Sequence, residues 1–370
     1  MNENKAFGVS SYDIFDEASS NINYLNNKVS TTGENIQEVQ TKLSSESIFM
    51  GPIADSCKEE LSKIIGEYPN IQQKLNNMIS ILNTTSSSYQ ALDKLSKNNY
   101  LTAGIKNELT DKKNISIKNI KAGSNVAYAL TKYNSELKGA EYATVNDKIF
   151  TTTKTEMING QPVKVTHVVI NNPNQINGAP ANGIYGNGLE TSSSAANRLN
   201  SAILVNGSHF RSDGKEDLQG ANNIVIVNGE IKKDGVSGGQ ELLLDNAGNI
   251  YNAVGKSAQQ LVDDGVKYSF ACHSTQVIEN GDTSPSYNEP RHYMRTVIGQ
   301  SNPGEYYIVT DTTENNALSD TAEYLKEKGC NNAYSLDQGG SVTLVRDNNV
   351  INTPRDGSER EVGDFLYFTA

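Results

Sequence analysis

The chain has 370 residues, enough for two or three domains and a sizeable core, and a formal net charge of -11. Residues 1–100 carry 8 Lys/Arg against 12 Asp/Glu, residues 101–141 carry 7 against 4, and the remainder 17 against 27, so no large segment offers the basic footprint of a nucleic-acid-binding protein. No apolar run approaches the ~20 residues that cross a bilayer, and Met1–Lys5 leads into no signal-peptide core, so by the usual rules the protein would stay in the cytoplasm.

From Phe15 the apolar or small positions fall at Phe15, Ala18, Ile22, Leu25, Val29, Thr32, Ile36, Val39 and Leu43, in alternating steps of three and four. That heptad seam predicts one long amphipathic helix. The pattern stops at Ser44–Ser47, turns at Gly51-Pro52, and resumes at Cys57, Leu61, Ile64, Tyr68, Ile71, Leu75, Met78, Leu82, Thr85, Tyr89 and Leu92. Two such helices on a short loop fold back as an all-α antiparallel hairpin over residues 1–98, with a kink expected near Gly66–Glu67 from Pro69. Each helix covers only the side facing its partner, so the hairpin is expected to dimerise or to pair with a similar small helical protein.

Phe49-Met50-Gly51 in the loop and Tyr89-Gln90-Ala91-Leu92-Asp93 on the second helix make this hairpin resemble the WXG100 and LXG group of type VII secretion substrates, with phenylalanine for the family's tryptophan. Tyr89 and Asp93, four apart, share one helical face and stand at the positions of the family's export signal. Without the resemblance, Tyr89 reads as a seam residue and Asp93 as its solvated neighbour. The resemblance implies secretion from a Gram-positive bacterium, or display on its surface, by a type VII route without a Sec signal peptide. Residues 99–141, polar and lysine-rich at Lys112-Lys113, Lys118 and Lys121, read as a linker with helical content around Asn125–Leu137.

Beyond Tyr142 short apolar or alternating runs replace the helical period: Val163–Ile170, Ala202–Val205, Ile224–Val227, Leu242–Leu244, Tyr306–Val309, Val342–Val345 and Phe365–Phe368. Helices are predicted at Ser193–Leu199 and from a Ser319 cap to Gly329. Mixed strands with few helices predict an α+β domain over residues 142–370 with a mixed or antiparallel sheet. Cys57, Cys272 and Cys330 have no metal-ligand spacing and read as core or half-buried thiols, with a Cys272–Cys330 disulfide as the minor alternative. His167, His209, His273 and His292 form no zinc motif; no cofactor is expected, and a bound structural cation stays open.

One segment looks like a site. Asp337-Gln338-Gly339-Gly340-Ser341 puts a carboxylate, two glycines and a hydroxyl between the strand-like runs Ala333–Leu336 and Val342–Val345, although the tetrapeptide alone is also a good turn. With it, Asn206-Gly207-Ser208-His209-Phe210, Arg295–Gly299, Tyr307–Asp311 and the Asn352–Arg360 loop recur in an order similar to the phosphodiester glycosidase family, from about Tyr142 to Ala370. That resemblance implies hydrolysis of the bond between a sugar's anomeric carbon and a phosphodiester oxygen.

Arg295 and Arg360 match family positions, and a guanidinium fork suits phosphate; Arg355 is a weaker third. Asp337 is the first choice as base or nucleophile and Asp311 the second. Asn206 and Ser341 would position sugar hydroxyls or phosphate oxygens. Gly339 and Gly340 would offer amides, Gly207 a close backbone, and Asn352 a further contact. His209 is either an acid toward the departing phosphate or a packed histidine. The family's Asn-Gly-Gly reads Asn206-Gly207-Ser208, its Asp-Gly-Arg reads Asp311-Thr312-Thr313, and Gln338 replaces a glycine.

The expected function is therefore a secreted hydrolase acting on a cell-surface glycan or sugar-phosphate polymer, with a toxin role implying an immunity protein. The alternatives are a non-catalytic carbohydrate- or phosphate-binding surface protein, or a phage-tail-type assembly protein.

Overall fold

The computed structural model describes residues 10–45, 52–97, 115–117, 120, 124–210, 224–239, 241–271, 274–283 and 293–370; in the two long helices, side chains are described at 18, 20–42 and 55–80. Two compact units result, Met1–Asn99 and Tyr100–Ala370.

The first unit holds two helices, Ser10–Ser45 and Pro52–Lys97. Asn26 Nδ2 donates to Asn76 Oδ1 at 2.8 Å and Gln40 Nε2 to Ser62 Oγ at 2.6 Å. Between them a Cβ on Gly33 would stand 3.1 Å from the Tyr68 ring. Residues 26, 33 and 40 thus meet 76, 68 and 62, so the helices run in opposite directions. The second helix continues through Pro69 as one element. Leu25, Val39, Ile64, Ile71 and Met78 remain exposed at heptad multiples along each helix, a row that the paired helix does not cover. Phe49, Met50 and Gly51 lie outside the described residues, as do the side chains of Tyr89 and Asp93. Cys57 is an exposed free thiol and Cys330 a buried one; Cys272 is outside the described residues.

The second unit is built on a nine-stranded sheet. Its order is Ile115–Ile117, Tyr142–Val145, Ile149–Ile158, Gln161–Ile170, Glu305–Asp311, Arg295–Asn302, Asn332–Gln338, Ser274–Glu279 and Asp282–Thr283. Among the described residues the first pair is parallel and the other pairs are antiparallel. A five-stranded sheet (Asn349–Val350, Leu344–Arg346, Ser201–Asn206, Asp364–Thr369, Ile176–Pro180) and another centred on Val266–Ala271 pack against it. One apolar core joins all three, with Ile298, Tyr306 and Leu336 from the large sheet, Val205 and Phe368 from the second, and Leu242, Tyr268 and Phe270 from the third. The outer faces carry the helices. Leu318, Ala322 and Leu325 of Leu318–Glu327 cover one part of the large sheet, while Ala195 and Ala196 of Ser192–Leu199 cover the second sheet.

Two expectations need correction. Where it is described, the supposed linker is part of the folded domain: Ile115–Ile117 joins the large sheet, and the helical content expected around Asn125–Leu137 is present as Asn125–Lys132 and Asn134–Gly139, which bury Val126, Ala129, Leu130 and Leu137. Lys132 and Lys138 of these helices lie exposed on the side away from the buried residues, an amphipathic pattern that composition alone conceals; Lys112, Lys113, Lys118 and Lys121 lie outside the described residues. The helix expected from a Ser319 cap is capped two residues earlier, at Ala317, and runs from Leu318, with the Asp320 carboxylate accepting the Ala317 N–H at 2.9 Å.

The small helices are held down by a buried polar cluster. His167 Nδ1 lies 2.8 Å from Glu136 Oε2 and its Nε2 lies 3.2 Å from Glu305 Oε1, while Tyr133 donates its hydroxyl to Glu305. The imidazole stacks on Tyr307 with centroids 4.3 Å apart. Burial alone would lower the His167 pKa, but the two carboxylates outweigh it and raise the pKa. Burial likewise works to raise Glu305, and the bond to His167 overrules it, leaving Glu305 at about 2.

Candidate active site

The sequence Asn206-Gly207-Ser208 lies where the large and second sheets meet. Gly207 donates its N–H to Asp364 O at 3.0 Å and accepts the Asp337 N–H at 2.9 Å, so one glycine links a strand end of each sheet. A Cβ on Gly207 would come within 3.0 Å of Phe270 Cδ1 and 3.1 Å of Asp364 Cγ, which leaves room for glycine only. Asn206 is fully buried. Its Nδ2 donates to Asp337 O at 2.9 Å, and its Oδ1 accepts from Thr296 Oγ1 at 2.8 Å and Thr343 N at 3.2 Å. Expected as a substrate contact, Asn206 instead fastens three segments behind the site.

Asp337 stands on a β-bulge. Arg295 pairs with Gln338 and Val297 with Ser335, so Leu336 and Asp337 together face the single residue Thr296. Bulges of this kind re-aim side chains, and this one is fixed from both sides by the Gly207 and Asn206 bonds. Asp337 is 5% exposed, and the Gln338 N–H rests on its Oδ1 at 2.8 Å. The chain then turns through Gly339, whose φ of 69° lies in the left-handed region and whose N–H bonds Met294 O at 2.9 Å.

Two arginines of the loop after Asn352 reach this turn, and a third stands on the neighbouring strand. Arg295 is buried and sits in the ladder between Asp311 and Gln338, with Nη1 donating to Asn316 O at 3.3 Å. Arg355 Nη1 lies 3.7 Å from where a Gly339 Cβ would be, and its Nε pairs with Glu314 at 3.0 Å. The Arg360 guanidinium packs against Gly340, 2.6 Å from Cζ to an ideal Cβ at that glycine, and pairs loosely with Asp356 at 3.6 Å. Both loop arginines are about half exposed, so these pairs hold them weakly and leave them able to turn toward an anion. Ser341 Oγ, Gln338 Oε1 and both amide atoms of Asn316 are buried without a hydrogen-bond partner among the described residues. Polar groups so placed are costly unless something answers them.

The other expected site residues are less central. Asp311 is buried, and its Oδ1 accepts the Thr313 N–H at 2.8 Å and O–H at 2.7 Å, so this carboxylate shapes its own turn opposite Arg295. Asn352 accepts from Leu344 N at 2.7 Å and donates to Val342 O at 3.0 Å, closing a loop on main chain rather than reaching outward. His209 is half-buried and donates its backbone N–H to Ala271 O at 2.8 Å.

Sequence reasoning missed Asp364. Its carboxyl is fully buried and accepts from Ser208 N at 2.5 Å, Ser208 Oγ at 2.6 Å and Tyr268 Oη at 3.2 Å. Burial pushes its pKa up, those three bonds pull it back, and the nearby Asp337 charge pushes it up again, to about 6. A charged residue opening the apolar run Phe365–Phe368 was the available signal.

Residues 199–369, which hold every residue of this arrangement, match the family model described as phosphodiester glycosidase. The SPbeta prophage-derived uncharacterized protein YomE of Bacillus subtilis (strain 168) is 29% identical over 195 residues, covering 48% of this chain and 29% of that protein; the chain spans less than a third of that relative's length. The catalytic domain of zebrafish N-acetylglucosamine-1-phosphodiester alpha-N-acetylglucosaminidase, auto-inhibited by its pro-peptide, aligns with a TM-score of 0.49 and 14% identity over 60% of this chain and 83% of that one. A hypothetical protein from Synechocystis aligns with a TM-score of 0.43 and 13% identity over 60% and 62%.

Proposed function

We propose that the domain holding residues 199–369 hydrolyses the bond between a sugar's anomeric carbon and a phosphodiester oxygen, with Asp337 as the reacting carboxylate. The observation that carries this reading is the approach of Arg355 and Arg360 to the Gly339–Gly340 turn that follows Asp337, next to the strand that carries Arg295, inside the segment matching the phosphodiester glycosidase family. The arginines and the Gly339–Gly340 turn bind the phosphodiester anion, and the buried amide of Asn316 and hydroxyl of Ser341 supply hydrogen bonds to sugar or phosphate oxygens. As the anomeric C–O bond breaks, its electron pair leaves with the phosphomonoester, and water oxygen bonds to the carbon. The water proton passes to Asp337 when it acts as base. If Asp337 is the nucleophile, its oxygen bonds the sugar first and water releases it in a second step.

The full chain incubated with sugar-1-phosphodiesters, followed by phosphorus NMR, should release a phosphomonoester and free sugar, and Asp337→Asn should abolish release while binding persists. Binding without release in the wild type would instead support a non-catalytic surface protein. For the helical unit we propose export by a type VII-like route, supported by its paired amphipathic helices and the Tyr89/Asp93 spacing. A second reading is assembly within a phage particle, favoured by the prophage origin of the Bacillus relative. Deleting residues 89–93 in the native host and assaying the supernatant separates them, since unchanged secretion contradicts the export reading.

A further inference from the structure

We propose that Asp364 is a positioning residue of the Asp337 site, holding the Gly207–Ser208 turn from within and placing a second, buried carboxylate across Gly207 from Asp337. The inference rests on the hydrolase reading for its kinetic consequence, but its structural basis is separate. The Asp364 carboxyl receives three donors, two of them from Ser208. Ser208 Oγ in turn accepts the Ala271 N–H at 3.0 Å, so its own proton points at Asp364. Tyr268, the third donor, cannot swing away on its Gly178 side, because its ring lies where a Gly178 Cβ would be, with both Cδ atoms within 2.5 Å of that point. With a folded pKa of about 6 the carboxyl is ionised at pH 7.5, where it accepts these bonds on both oxygens.

The titratable groups facing it are Tyr268 on the Val266–Ala271 strand and Asp337 on the Asn332–Gln338 strand; among the described residues no cation pairs with it. An unneutralised buried anion is a liability for stability. The sign follows from linkage: a folded pKa of about 6, raised above the ordinary aspartate value of 3.8, means that stability is lost as pH rises through that interval. What the anion supplies is a fixed negative potential behind Asp337, which makes Asp337 more basic and favours positive charge at the anomeric carbon. Serine at position 208, where the resembling family has glycine, supplies the hydroxyl that anchors it.

Asp364→Asn keeps the shape and removes the charge, its Oδ1 taking the Ser208 N–H while its Nδ2 donates to the Ser208 and Tyr268 hydroxyl oxygens, which rotate to accept. In the full chain it should melt no lower than wild type at pH 7.5, lower kcat on a sugar-1-phosphodiester by about tenfold with KM changed less than threefold, and move the acid limb of the kcat profile to lower pH. Ser208→Ala should lower kcat by a smaller factor in the same direction. Carbon-13 NMR of labelled aspartate should show the Asp337 titration moving down in Asp364→Asn, a readout that needs no turnover. Wild-type kcat and an unmoved acid limb would overturn the proposal, and so would a lower melting temperature with the Asp337 titration unchanged. If the wild type hydrolyses no sugar-1-phosphodiester, the hydrolase reading fails, and the Asp337 titration alone decides whether Asp364 acts on it.

Discussion

Gly340→Ala separates binding from stability. An ideal Cβ at this position would lie 2.6 Å from Arg360 Cζ and 3.0 Å from Nε, against an ordinary contact of 3.4 Å or more, so the guanidinium has to retreat by roughly 1 Å. A charge-assisted hydrogen bond begins near ~2.8 Å, and a further ~1 Å takes it out of range. Losing one such bond to a charged group costs about 1.5–3 kcal/mol, which is about 10- to 100-fold in kcat/KM or in the affinity for inorganic phosphate.

The fold should barely notice. Gly340 is not in the left-handed region, so alanine fits its backbone and gains about 0.4–1 kcal/mol by restricting the unfolded chain. Against that stands the half-exposed Arg360–Asp356 pair at 3.6 Å, a surface contact of about 0–1 kcal/mol. The assay is phosphate titration by calorimetry together with turnover and urea unfolding, run on Gly340→Ala, Arg360→Ala and the double variant. Activity and affinity should fall alike in all three, with unfolding free energy within about 1 kcal/mol of wild type. Full phosphate affinity in Gly340→Ala would remove Arg360 from the binding set. A stability loss above about 2 kcal/mol would mean the guanidinium is packed in place rather than poised.

The same substitution at Gly178 should behave oppositely: both Cδ atoms of the buried Tyr268 ring lie within 2.5 Å of the new Cβ, so Gly178→Ala is expected to lose about 1–3 kcal/mol in urea unfolding, and an unchanged midpoint would mean that the ring can move. For the His167 cluster the folded pKa is raised above 6.5, so its contribution is fully present below pH 6.5 and is lost as pH rises through the folded value. Glu305, depressed to about 2 from 4.5, contributes above pH 4.5 and loses that as pH falls through its folded value. Melting temperature should therefore decline from pH 6.5 upward more steeply in wild type than in His167→Gln; parallel curves would show that the imidazole carries no charge in the fold.

The strand-bearing motifs were readable because their chemistry is local. Arg295, Asp311 and the Asp337–Ser341 turn lie at strand ends, where the apolar runs Val297–Ile298, Tyr306–Val309 and Ala333–Leu336 place them. Asn206 and Asn352 show the limit: an amide looks the same in sequence whether it meets a substrate or a main-chain group, and both meet main chain here. The strand Ile149–Ile158 went unread because Thr151, Thr152 and Thr153 are buried hydroxyls, which hydropathy scores as surface. Asp364 and Tyr268, 96 residues apart, are joined by closure of the sheets alone, and no local pattern records that. Ser208 was visible as a departure from a family pattern, but its purpose became visible only with the carboxyl it anchors.

The geometry also says which substitutions should change rate and which should change binding. Asp337 and Asp364 sit on strands that Gly207 ties together through its own N–H and C=O, with no side chain between them to adjust. Their separation is therefore set by sheet packing, which is stiff. Arg355 and Arg360 hang from the loop after Asn352, half-exposed and held by weak surface pairs, so their positions are set by whatever anion they meet. With rigid acids and a buried Arg295 on the strands and two yielding arginines on the loop, reactivity is assigned to the sheets and first capture to the loop. Loop arginine variants should then change KM and salt dependence, and variants at the strand seam should change kcat. Equal effects on both constants from the two sets would mean that the division between seam and loop is wrong.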